Sequence, residues 1–134
     1  MGVVYLAEQA GLKHPVALKV IRHGVHASAE EVARFCAEAV AVARLQHPNI
    51  VQIHEVGSQA GVYYLALEYV AGGNFDRQLA GTPQELRSAA RLAETLARAV
   101  HHAHQRGILH RDLKPANILL RRFTAETAED AEKT

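Results

Sequence analysis

HRDLKPANILL, residues 110–120, sets an arginine, an aspartate, a lysine and an asparagine within eight positions and then turns apolar. It follows a long helical pattern and precedes a short apolar run, so it reads as a loop that offers a carboxylate between a helix and a strand. Beyond it, RRFTAETAEDAEKT closes the chain. Residues 124–132 are a near-repeat, TAE, TAE, DAE, with almost nothing apolar to bury. That segment is expected to lie outside any core, as a solvated fraying helix or a disordered tail, since short isolated helices are marginal in water.

Upstream of the loop, Thr82 as N-cap, Pro83 at the first helical position and Glu85 three residues after the cap predict a helix over 83–106. Leu86, Ala90, Ala93, Ala97 and Val100 line one expected face, and Gly107 ends it. AGGNFDRQLAG, residues 71–81, is the most linker-like stretch and divides the chain. Before it, Val3–Ala7, Val16–Ile21, Val51–Val56 and Val62–Leu67 are short runs of the β-favouring kind. Between the second and third, Ser28 as N-cap, Glu31 three residues later, and Val32, Phe35, Ala39 and Val42 at helical spacing predict a capped amphipathic helix. Its stop is expected at His47 and Pro48, because the residue before a proline is pushed out of the helical region.

The chain of 134 residues is the size of one ordinary domain, with 49% hydrophobic and 22% charged residues, the balance of a packed globular protein. Fifteen Lys and Arg against fourteen Asp and Glu leave a net charge of +1, which supplies no field for nucleic acid or anionic lipid. The lone cysteine, Cys36, fits a reducing compartment, and no signal segment or apolar run of membrane length occurs, so a cytoplasmic protein is expected. Cys36 itself reads as a small side chain packed on its helix. His101 and His104 share a helix face, a spacing that metal sites use, yet no acid or thiol within a turn completes a ligand set. A solvated or packed helix end is the reading taken.

The order strand, strand with a lysine, helix with a glutamate, two strands, glycine-rich connection, long helix and HRDLKPAN resembles the protein kinase family over residues 1 to about 120, in its bacterial serine/threonine form. The implied fold is α+β: a partial N-lobe antiparallel sheet with one helix over residues 1–70, then the first helices and catalytic loop of the C-lobe over 71–120, with 121–134 as tail. By that resemblance Asp112 is the base that takes the proton of the attacking hydroxyl, and Lys114 neutralises charge on the moving phosphoryl group. Asn117 is a Mg²⁺ ligand. Arg111 and His110 take structural roles. Lys19 holds the ATP phosphates and pairs with Glu38. Gly2 is a remnant of the phosphate-covering loop, Val4, Ala17 and Leu119 sandwich the adenine, Leu67 guards the back of the pocket, and the backbone of Glu68 and Val70 reads the ring edge. Asn74 stands where many relatives place an acid facing the ribose.

The implied activity is ATP-dependent phosphorylation of a serine or threonine hydroxyl in a protein whose identity the residues do not encode. Only Gly2 and Val4 match the glycine-rich loop pattern, and no Asp-Phe-Gly follows Asn117, Asp130 being the last aspartate. A truncated, inactive kinase fragment is therefore expected, one that self-associates through uncovered apolar surface. The alternatives are a non-catalytic, pseudokinase-like interaction fragment and a gene remnant.

Overall fold

The computed structural model describes residues 2–11, 13–21 and 28–121, so the repeat-like tail lies outside the described residues apart from Arg121. The chain falls into two compact units, Met1–Tyr69 with Ala90–His110, and Val70–Ala89 with Arg111–Thr134.

The first unit is built on a four-stranded antiparallel sheet in the order β1-β2-β4-β3, comprising β1 (Gly2–Glu8), β2 (Pro15–Ile21), β3 (Ile53–Gln59) and β4 (Val62–Glu68). Helix α1 (Ala29–Ala43) packs against β3. Its start is the expected capping box: Ser28 Oγ accepts from Glu31 N at 3.2 Å, and Ser28 N donates to the Glu31 carboxylate at 2.8 Å. Its end comes earlier than the His47–Pro48 signal. Arg44 N and Leu45 N turn back to Ala41 O and Val42 O, tightening the last turn, and Leu45 swings inward to 3% exposure. Burying that leucine takes precedence over extending the helix toward the proline.

The third strand also departs from its expected span of Val51–Val56. It starts at Ile53 because Gln52 is engaged elsewhere, its Nε2 donating to Ala43 O (2.8 Å) and Ile53 O (3.1 Å). It runs on to Gln59 because Ala60 (φ 50°) and Gly61 (φ 76°) form a two-residue turn with both central residues left-handed, which keeps Gln59 opposite Val62. A register shift between Ile53 and Glu55 is absorbed on the same strand.

The described core is small and wholly apolar: Val16, Ala39, Leu45, Ile53, Leu65, Ala66, Ala99 and Ala103. Its last two members come from α3 (Leu86–His104), whose geometry corrects two expectations. The helix begins at Leu86, not at Pro83. Thr82 N is tied to Leu79 O at 2.6 Å in the preceding turn, and the cap is Glu85, whose carboxylate accepts from Arg87 N and Ser88 N, both at 2.8 Å. The inward face is also rotated. Leu92, Leu96, Ala99 and Ala103 turn inward, while Leu86 is 86% exposed and Ala90, Ala93 and Ala97 are exposed. Leucines at 92 and 96 have more surface to bury than the alanines of the expected face. The helix closes with Gly107 N on His104 O (2.9 Å) and Ile108 N on Ala103 O (3.0 Å), a Schellman pattern. Among the described residues no helix is long and apolar enough to cross a membrane.

The second unit holds α2 (Phe75–Leu79) and a 3₁₀ turn, Pro115–Asn117. They are joined by a backbone clamp: Leu120 N donates to Gly73 O at 2.9 Å, Phe75 N donates to Ile118 O at 2.8 Å, and Asn74 bridges Leu119 between them. Gly72 lets the two segments approach, since a Cβ there would collide with the Leu120 carbonyl.

Two outcomes follow. Gly72→Ala should cost about 1–3 kcal/mol in urea unfolding, because the opposing atoms are backbone and cannot swing aside. An unchanged midpoint would mean that the two segments are not held together in solution. At the start of α3, hydrogen bonds from Arg87 N, Ser88 N and the Ser88 hydroxyl hold the Glu85 carboxyl below its usual range. A carboxylate whose folded pKa is depressed stabilises fully above its unfolded value of about 4.3, and that contribution is lost as pH falls through the folded value. The Arg87 and Ser88 amide resonances should accordingly shift with a midpoint below about 4.3. A midpoint at or above it would contradict the cap.

Candidate functional site

In the first unit the sheet register gathers the expected nucleotide contacts on one face. Val4 lies opposite Lys19, which lies opposite Leu65, and Leu6 lies opposite Ala17, which lies opposite Leu67. Because directly paired residues of an antiparallel sheet point to the same side, Val4, Ala17, Lys19 and Leu67 share that face. Val4 is 59% and Leu6 66% exposed, Ala17 and Leu67 are half-buried, and Leu65 is buried. The result is an open apolar platform in which one lysine, Lys19, stands between Val4 and Leu65. Gly2 lies in the same strand as Val4, opposite Ile21.

Lys19 and Glu38 are not joined as an ion pair, and both are exposed. Glu68, at the end of β4, makes a reciprocal contact with Gln52: Glu68 N donates to Gln52 O at 2.8 Å, and the Glu68 carboxylate accepts from Gln52 N at 3.2 Å. The Glu68 N–H is thus committed inside the protein, which leaves ring recognition to other backbone groups. Gln52 is weakly marked in the sequence. Its one signal is a polar residue inside the apolar run Ile50–Ile53.

In the second unit the loop after His110 brings three of the expected residues together. Arg111 takes a left-handed conformation (φ 64°), sparsely populated for a residue with a side chain, and this turns the chain sharply just before Asp112. Pro115 then starts the single 3₁₀ turn, closed by Asn117 N on Lys114 O at 2.9 Å. That turn folds Asn117 back, so that its Nδ2 donates to Asp112 O at 2.8 Å and to Asp112 Oδ2 at 3.2 Å. Lys114 Nζ lies 3.3 Å from the same Oδ2. Side-chain exposures of 53% for Lys114 and 66% for Asp112 make this pair worth only about 0–1 kcal/mol of stability. Its consequence is chemical. One carboxylate oxygen is held by an amide and an ammonium, in a loop whose backbone direction is fixed on both sides.

The Asn117 orientation follows from donor chemistry. An ionised carboxylate and a carbonyl can only accept, so Nδ2 must face Asp112 and Oδ1 is left as the acceptor end, a hard oxygen of the kind that binds Mg²⁺. One amide oxygen does not make a metal centre, and among the described residues no three His, Cys, Asp or Glu side chains converge on a point. Among the described residues the donor set is therefore incomplete for a magnesium ion. Leu119 is 43% exposed and Val70 half-buried. Asn74, expected near a ribose, instead caps α2, with Oδ1 accepting from Arg77 N at 2.9 Å. The clamp partners Gly73 and Phe75 carry no signal in the sequence, because pairings between residues 47 and 43 positions apart leave no local pattern.

Known proteins place this arrangement. The family model described as Protein kinase domain matches residues 1–126. PknJ, a serine/threonine-protein kinase of Mycobacterium tuberculosis, is 40% identical over 122 residues, covering 91% of this chain and 21% of PknJ. The serine/threonine-protein kinase PrkC of Bacillus subtilis is 40% identical over 121 residues, covering 90% of this chain and 19% of PrkC. The chain thus spans about a fifth of the length of these relatives. Among solved structures, the M. tuberculosis PknI kinase domain superposes with a TM-score of 0.79 at 36% identity, covering 90% of this chain and 49% of that one. Rad53 in complex with AMP-PNP gives 0.78 at 26% identity, covering 90% and 31%. The matched residues have the protein-kinase fold, and the chain belongs to the protein kinase family.

Proposed function

We propose that this chain supplies the base and the adenine platform of an ATP-dependent protein kinase acting on serine or threonine hydroxyls. The observation that carries the reading is the convergence of Asn117 and Lys114 on one carboxylate, that of Asp112. In that role Asp112 accepts the proton of the substrate hydroxyl and orients the oxygen for in-line attack, an effect of about 10²–10⁴-fold for a well-placed base. Lys114 offsets charge on the transferring group. Asn117 fixes the carboxylate and presents its amide oxygen outward. In the first unit Val4 and Ala17 offer apolar contacts to a purine and Lys19 offers a cation to phosphate; in the second, by the family resemblance, Leu119 offers an apolar side chain and Val70 its backbone.

We further propose that the 134-residue chain transfers phosphate at background rate. In protein kinases the lysine–glutamate ion pair and an aspartate–magnesium contact must both be in place. Here Lys19 and Glu38 are apart, and the described metal donors are incomplete. The separated pair equally favours a second reading, a nucleotide-binding interaction module without turnover.

Calorimetric titration with ATP tests the platform. Binding should be weak, should be lost in Ala17→Trp, which fills the apolar face, and should tighten less than tenfold, about 1.4 kcal/mol, on adding magnesium. Equal binding by the variant would remove the nucleotide from this face, and a larger magnesium effect would reveal a metal ligand outside the set above. With labelled ATP and a basic protein substrate, the chain and Asp112→Ala should give equal signal. A clear excess for the unaltered chain would show that it turns over as it stands and would exclude the interaction module.

A further inference from the structure

The contact between α3 and the turn after α1 is made by two imidazoles. His102, on the inward side of α3, and His47 have ring centroids 4.9 Å apart with the planes tilted by 54°. Each ring uses its Nδ1 as an acceptor. Asn49 N donates to His47 Nδ1 at 3.1 Å. Arg106, one turn beyond His102, reaches back so that its Nη1 lies 3.2 Å from His102 Nδ1 and 3.1 Å from His102 O. A guanidinium can only donate, so His102 Nδ1 must carry a lone pair and its proton must sit on Nε2. That Nε2 is buried, and among the described residues it has no hydrogen-bond partner.

Both contacts require neutral rings. A proton added at His102 Nδ1 would face the Arg106 N–H donor to donor, and would place a second positive charge beside the guanidinium. A proton at His47 Nδ1 would displace the Asn49 N–H in the same way. The surroundings offer no relief. Arg106 faces His102 from the turn that closes α3, and His47 faces it from the turn after α1. Arg44, from the end of α1, lines with Arg106, Ala41, Leu45 and Ile108 a cavity of about 290 Å³ that has no carboxylate in its walls.

We propose that His47, His102 and Arg106 form an acid-released latch, in which neutral imidazoles hold the turn after α1 against α3 and protonation of His102 opens the contact. The turn continues directly from α1, the helix that carries Glu38, so release removes one of the two ties at its C-terminal end and leaves that of Gln52 on Ala43 O. The electrostatics agree in direction. Burial first, then Arg106, then His47 push the His102 pKa down from its ordinary value. A histidine with a depressed folded pKa leaves the unfolded chain to take up the proton first. The latch therefore holds fully above about pH 6.5 and weakens as pH falls from there through the folded value.

Imidazole NMR on the 134-residue protein, titrated from pH 8 to pH 5 with His102 assigned by comparison with His102→Gln, reads the group itself. His102 should titrate with a midpoint below about 6.5, and the Leu45 and Asn49 amides should shift with the same midpoint while those of β1 stay still. A midpoint at or above that value, or amides in the turn that ignore it, would overturn the proposal. In parallel, the thermal midpoint of the unaltered chain should fall further between pH 7.5 and 5.5 than that of His102→Phe, which subtracts the contribution of every other histidine. Equal falls would overturn it as well. Should the phenylalanine variant not fold, the titration of the unaltered chain decides alone.

Discussion

Two backbone hydrogen bonds, Leu120 N to Gly73 O and Phe75 N to Ile118 O, set the geometry on which the site depends. They act where side chains give little purchase, since every residue from 111 to 117 is exposed. A loop with no core of its own can keep a fixed shape only if its ends are held and its backbone has few alternatives. The clamp holds one end. Arg111 in a left-handed conformation and Pro115 with its fixed φ restrict the path between. Asn117 then closes the loop on itself by donating to both the carbonyl and the carboxylate of Asp112. The order of dependence runs from backbone pairing to loop shape to carboxylate, and Gly72 is where the sequence permits the first step.

The sheet unit works by a different economy. Its buried residues are alanine, valine, leucine and isoleucine with no large aromatic among them, so the described core is modest and the polar contacts around it matter for position. Gln52 ties the end of α1 to β3 and β4 through Ala43 O, Ile53 O and the Glu68 backbone and carboxylate. The His47 and His102 contact ties the turn after α1 to α3. Both act at the same end of α1, whereas Glu38, nearer the middle of that helix, is exposed and apart from Lys19. The structure therefore fixes where α1 ends more firmly than it engages Glu38, the residue expected to pair with Lys19.

What the sequence reveals follows the range of the interaction. The Ser28 capping box is local chemistry within four residues, and the structure reproduces it donor for donor. The four strands are legible because β-favouring residues cluster, but the span of β3 is not, because Gln52 is taken by partners up to 16 positions away. The start of α3 was misread for a local reason. Thr82-Pro83 has the composition of a helix start, yet the Thr82 N–H is already committed to Leu79, and the acid at position 85 does the capping. The inward face of that helix depended on which side chains gain most by burial, and alanine periodicity misjudged it. For the site, HRDLKPAN names Asp112, Lys114 and Asn117 together because all lie within one loop. The clamp that holds the loop is long-range backbone pairing, which no residue type announces.

The geometry around Asp112 depends on that clamp existing in the protein without nucleotide. Amide hydrogen exchange measured residue by residue on the free chain addresses it directly. The Phe75 and Leu120 amides should be protected well beyond the exposed amides of residues 111–114, and Gly72→Ala should abolish the difference. Exchange of Phe75 and Leu120 at the rate of an open loop would contradict the central claim, because the Asp112 carboxylate would then have no backbone frame to hold it.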